Sequence, residues 1–222
     1  MRKIFVGVVL SVLIVANVAL AANFSAPVKV GEIGFPAQAP YSGFIVDGAT
    51  QNDGIAHAEE FERNGKPLTT YTRGIARFGK LCCRYDFDAD IADAMQFGGA
   101  DNFVLTTGSE FKEIFSIGND AGLELYAIYH NYCVTDLKVL GACNGKWRVC
   151  IDSKKISDKF FGGADAYKLD GGILYDVPKC AGDTLIVIYR RWHWGGESAP
   201  EGEFRFTWNA AAENFGVEQI VY

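Results

Sequence analysis

The stretch DFDAD places Asp86, Asp88 and Asp90 at alternating positions, which turns three carboxylates toward one side of an extended chain. Carboxylate oxygens are calcium ligands, so these three residues define a candidate calcium site. An EF-hand loop starting at Asp86 would need Gly at its sixth place and Glu at its twelfth, and the chain has Ile91 and Phe97 there. The residues allow a single calcium site completed by groups from elsewhere in the chain, but no cofactor is expected.

A second constellation lies in IYRRWHWGGESAPEGE, which joins Arg190, Arg191, Trp192, His193 and Trp194 to a Gly- and Pro-containing loop. Aromatic rings give large rigid contact surfaces and guanidinium groups give directed donors, a pairing common in interfaces and pockets. Stacking by Trp192 or Trp194, with polar contacts from Arg190 or Arg191, is the expected mode of ligand binding. The same alternation also suits a strand that buries Trp192 and Trp194 and turns Arg191 and His193 outward. Asp101 and Asp165, in two FGGAD stretches, are secondary ligand-binding candidates.

Six cysteines, Cys82, Cys83, Cys133, Cys143, Cys150 and Cys180, make an even set. In an oxidising compartment such a set predicts three disulfides, with the adjacent Cys82 and Cys83 reaching different partners. There is no C-x-x-C redox motif, and His57, His130 and His193 are too scattered to form zinc pairs with the cysteines. H-E-x-x-H, Walker and G-x-G-x-x-G motifs are missing, and Ser109 lacks the G-x-S-x-G elbow of a hydrolytic nucleophile.

The compartment is read from the N-terminus. Arg2 and Lys3 precede an apolar run from Ile4 to about Val15 and the small-residue ending Ala19-Leu20-Ala21, the pattern of a secretory signal peptide cleaved after Ala21. Loss of Arg2 and Lys3 leaves 19 basic against 27 acidic residues, a formal charge of −8. Without a basic stripe, that charge argues against a nucleic-acid partner. The mature chain is expected to be secreted or periplasmic, with no membrane span.

These residues must be positioned by a fold, and the FGGAD stretches suggest how. RYDFDADIADAMQFGGADNFVL and RVCIDSKKISDKFFGGADAYKL align with Arg84, Asp88 and Phe97 sixty-four places before Arg148, Asp152 and Phe161. NDAGLELYAIYH and KCAGDTLIVIYR continue the match at a spacing of sixty. Each copy reads as a strand, a cap at Asp90 or Ser153, and a short helix carrying Ile91 with Met95 or Ile156 with Phe160. Each helix is expected to end at its Gly-Gly pair, before further strands. NDGIAHAEEFERNG reads as another helix, with Asn52 or Asp53 as cap and Glu59, Glu60 and Glu62 on a solvated face. At the other end, EFRFTWN alternates Phe204, Phe206 and Trp208 with Glu203, Arg205 and Thr207, and FGVEQIVY reads as the last strand.

The predicted fold class is mainly β with short helices (α+β). It contains an internal duplication of a strand-helix-strand-strand unit in a disulfide-stabilised, sandwich-like or open-barrel domain. Its segments are a signal peptide (1–21), a lead with a strand and short helix (22–66), two repeat-like units (67–134 and 135–197) and completing strands (198–222). The expected function is a non-enzymatic binding or structural module recognising a saccharide, peptide or cell-envelope partner. Alternatives are an extracytoplasmic hydrolase using Asp, Glu and His residues and a small outer-membrane β-barrel.

Overall fold

Alternating burial along the strands builds the protein around one sheet that is covered on both faces. The computed structural model describes residues 22–34, 45–55, 71–88, 96–97, 103–106, 111–130, 136–143, 146–162, 172–193, 196–197 and 199–222. The first strands are β1 (Val28–Gly34), β2 (Ile45–Asp47), β3 (Gln51–Ile55), β4 (Tyr71–Phe78), β5 (Leu81–Asp88), β6 (Gln96–Phe97) and β7 (Phe103–Thr106). Next come β8 (Lys112–Ile117), β9 (Glu124–His130), β10 (Asp136–Cys143), β11 (Lys146–Asp152) and the helix α1 (Ser153–Phe161). The chain closes with β12 (Ile173–Tyr175), β13 (Lys179–Ala181), β14 (Thr184–His193), β15 (Gly196–Glu197), β16 (Gly202–Asn209) and β17 (Asn214–Val221).

These strands form three open sheets. The first runs β11-β10-β9-β8-β1-β2; the second runs β12-β14-β16-β17, with β13 and β15 also on β14; the third runs β3-β4-β5-β7-β6. Strand β9 shows how the layers stack. Leu125 and Ala127 point into a core shared with Leu185, Val187, Tyr189, Phe204, Phe206 and Trp208 of the second sheet. Tyr126 and Ile128 point the other way, into a core with Ala76, Phe78, Leu81 and Cys83 of the third. Burial of both faces explains the nearly continuous apolar run of LELYAIYH.

α1 packs against the first of these cores. Asp152 caps it, accepting the Lys154 amide at 3.0 Å, and Gly162 ends it at φ 85°, a left-handed conformation that costs glycine little. Ile156 is buried, Phe160 and Phe161 pack on the core, and the Ser157 hydroxyl is 2.6 Å from that of Tyr175. The helix expected over Ile156 and Phe160 is thus present, with its cap one residue earlier than Ser153.

Other expectations are corrected. Gln51–Ile55 is a strand, antiparallel to β4 with Asn52 opposite Ala76 and Asp53 opposite Ile75, so neither residue caps a helix there. A sheet ladder prevails because the cap signal is local while the pairing partner is distant in sequence. Gln96–Phe97 is a strand against β7, whereas Phe161 ends α1, so the matched Phe residues occupy dissimilar elements. The first sheet also takes strands from the lead and from both repeat-like segments.

No disulfide joins Cys82, Cys83, Cys150 and Cys180, contrary to the expected stapling. Cys83 lies in the core beneath the third sheet, while Cys150 and Cys180 border the core on the opposite face of the first. Cys150 Sγ is 3.8 Å from the Arg148 carbonyl oxygen and Cys180 Sγ is 3.0 Å from that of Ser25. Cys133 and the Cys143 side chain lie outside the described residues, as do residues 1–21.

Candidate functional site

β14 carries its first candidate residues to one end of the second sheet. Leu185, Val187 and Tyr189 face the core opposite Phe206, Phe204 and Gly202 of β16. Beyond them, Arg190 Nη2 donates to both carboxylate oxygens of Asp176 at 2.8 Å. Arg191 Nε is 3.1 Å from Glu201 Oε2. Both predicted arginines are therefore matched by carboxylates. Trp192 and His193 pair along the backbone with Glu197 and Gly196; their side chains, and all of Trp194, lie outside the described residues.

Glu201 links this strand end to the last residue of the chain. Its amide donates to the Tyr189 carbonyl at 3.0 Å, and its own carbonyl accepts the Tyr222 amide at 2.9 Å. The Tyr222 hydroxyl donates to Glu203 Oε2 at 2.7 Å, while Arg205 Nε donates to Glu203 Oε1 at 2.7 Å. Beneath them, Gln219 Nε2 donates to the Tyr189 hydroxyl at 3.0 Å. The hydrogen bond from Tyr222, then the one from Arg205, holds the Glu203 carboxyl below its ordinary value. The same bond to Glu203 pushes the Tyr222 phenol up. Although its backbone and hydroxyl are tied down, Tyr222 is 65% exposed, and the adjacent Val221 is 70% exposed. The result is an oriented aromatic ring beside two arginine–carboxylate pairs.

Sequence reasoning reached Arg190 and Arg191 but missed Asp176, Glu201, Glu203 and Tyr222 as their company. The alternation of EFRFTWN did place Glu203 and Arg205 on one face, where they meet. Glu203 is nevertheless buried, because Tyr222 and Arg205 engage its two oxygens from one side each.

A second polar cluster lies where α1 leaves the first sheet. Lys112, 1% exposed, has Nζ 3.6 Å from Asp136 Oδ2, and Lys138 Nζ is 3.3 Å from the same oxygen. The Ser153 hydroxyl donates to Asp136 Oδ1 at 3.2 Å and accepts the Leu137 amide at 3.0 Å. Burial pushes the Asp136 carboxyl up, but the two lysines and the Ser153 hydroxyl together outweigh it and leave the group below its ordinary value. His130, buried and opposite Asp136 in the ladder, completes the neighbourhood. The arrangement keeps a carboxylate charged at a helix start, which suits structure better than proton transfer.

The remaining candidates fall largely outside the described residues. Asp86 and Asp88 lie on β5 opposite Arg73 and Tyr71, with side chains outside the described residues; Asp90, Asp101 and Asp165 are wholly outside them. Among the described residues, no three His, Cys, Asp or Glu side chains gather closely enough to hold a metal ion. Burial, and secondarily Cys82, pushes the Cys83 thiol far up, and burial raises Cys180. Among the described residues no helix is long and apolar enough to cross a membrane. No protein-family model matches this chain, and neither does any curated protein or solved structure.

Proposed function

We propose that the protein is a secreted or periplasmic binding module, without catalysis of its own, that holds a saccharide-type ligand on the Tyr222 patch. The observation that carries this reading is the ring of Tyr222, exposed to solvent while its backbone and hydroxyl are both anchored. An aromatic face ordered in advance offers contact area at low entropic cost. Arg191 and Arg205 supply donors, and Glu201 supplies acceptors, the two partners that sugar hydroxyls require.

The shifted carboxyls among the described residues are suited to holding charge. Asp120, Asp136 and Glu203 have lowered carboxyl pKa values and therefore hold their charge. A carboxylic general acid needs the opposite shift. Cys83 and Cys180 are shifted toward the protonated thiol, the poorer nucleophile. The leader-like N-terminus supports the extracytoplasmic address.

Parallel glycan and peptide arrays test this reading, with the native protein compared to Tyr222→Ala. Saccharide binding that weakens about tenfold in the variant, with the fold intact, is the expected result. Saccharide binding indifferent to Tyr222, or no saccharide binding, overturns the proposal; signal on peptides alone replaces the ligand class.

A further inference from the structure

The second sheet ends on β17, and no described strand lies beyond it. None of the residues of β17 is buried, whereas Gly202, Glu203, Phe204, Phe206 and Trp208 of the neighbouring β16 are. The ladder to β16 fixes which backbone groups are already paired. The Tyr222 amide donates to the Glu201 carbonyl, and the pairing runs without a shift from Gly202 opposite Val221 to Asn209 opposite Asn214. Hydrogen bonding alternates along an antiparallel ladder, so Asn214, Gly216, Glu218 and Ile220 direct their amides and carbonyls at β16. Phe215, Val217, Gln219 and Val221 direct theirs away from it, toward the open edge.

The other sheet edges are blunted in ways that discourage strand addition. β2 and β12 have three residues each and β6 has two. β3 carries Asp53 and Gly54, residues unfavourable in strands. β11 carries Arg148 and Asp152 and pairs with β10 through a register shift. β17, with the sequence NFGVEQIV, has no proline, no lysine, no bulge against β16 and a single charged residue, Glu218. A long, regular edge of this kind is a template for another strand.

The strand complements itself. Two copies related by a twofold axis run antiparallel, and their registers differ in what they set face to face. Centring on Glu218 would oppose two carboxylates, a destabilising pair. Centring on Gln219 sets Glu218 opposite Ile220 and covers Val221, which is 70% exposed. In that register Val217, Gln219 and Val221 of one copy exchange backbone hydrogen bonds with Val221, Gln219 and Val217 of the other. We propose that β17 is a self-association edge, on which a second copy of this chain adds its own β17 antiparallel, centred on Gln219, to make one continuous sheet. The contact buries little apolar area, so the dimer is weak and reversible. The Tyr222 hydroxyl reaches Glu203 on β16, so its ring leans back over its own sheet and the ligand patch stays clear. Self-association needs no ligand there.

Sedimentation equilibrium from about 1 μM to about 1 mM protein, with residue-resolved amide exchange at both ends of that range, tests this. A shift from monomer to dimer mass is expected. Exchange at Val217, Gln219 and Val221 should slow at least about tenfold with concentration, while Phe215, which has no partner in this register, stays fast. A monomer throughout, or exchange that ignores concentration, overturns the proposal, and so does slowing at Phe215 equal to the rest. Val221→Pro removes one outward amide at an edge position where proline is tolerated. It should raise the dimer dissociation constant at least about tenfold, and an unchanged constant overturns the proposal. If that variant does not fold, the exchange pattern of the native protein decides.

Discussion

Asp136 shows how a single residue ties pH to stability. Burial pushes its carboxyl up, but Lys138, Lys112 and the Ser153 hydroxyl hold it below its ordinary value in the folded protein. A carboxyl lowered by folding contributes stability above its unfolded pKa, and that contribution is lost as pH falls through the folded value. Urea midpoints measured from about pH 7 to about pH 2 should therefore fall mainly below about pH 4. Asp136→Asn should lower the neutral-pH stability by about 1–3 kcal/mol and flatten the acid limb, leaving the part due to Asp120 and Glu203. An unchanged acid limb would remove Asp136 from this account. Phe204 gives the apolar counterpart: it is 0% exposed, with the rings of Phe160 and Tyr189 both 5.0 Å away. Phe204→Ala should cost about 3–5 kcal/mol, read as a lower denaturant midpoint at unchanged m-value.

Among the elements, α1 was the most legible in sequence and remains the easiest to test. Ile156 and Phe160 four apart, a polar cap and Gly162 are all local signals, and a short helix depends on local signals. Asp152→Ala should destabilise the protein by about 1 kcal/mol by leaving the Lys154 amide without its cap, with Asp152→Ser restoring most of the loss in thermal melts. The Gln51–Ile55 strand was misread for the converse reason. Asn52 and Asp53 resemble caps, but their conformation follows from the ladder to Tyr71–Phe78, whose register cannot be inferred from either stretch alone. The strands at Glu124–His130 and Thr184–His193 were plain because both are rich in Val, Ile, Leu and Tyr, and the one at Gly202–Asn209 because apolar and polar residues alternate along it.

At the scale of the whole molecule, the three stacked sheets supply cohesion among the described residues, where no disulfide joins Cys82, Cys83, Cys150 and Cys180. Cys83 is buried at 0% exposure and held as a thiol, so a membrane-permeant alkylating reagent should label it only after denaturation. Mass mapping of the labelled peptide checks this. Rapid labelling of Cys83 in the native protein would contradict the packing of the third sheet on the first.

The sequence by itself determined the strand-rich character, the helix after Asp152, the inward face of β16 and the leader-like N-terminal pattern, because burial alternation, capping and segment hydropathy reside in neighbouring residues. Tertiary structure decided that the first sheet is covered on both faces, that Cys83 lies in one core while Cys150 and Cys180 border the other, and that Phe97 and Phe161 lie in unlike elements. It also brought Tyr222 to Glu203 across 19 positions and Asn23 to Asp120 across 97. Contacts of that reach depend on which strands pair and in what register, and many registers satisfy the same local alternation.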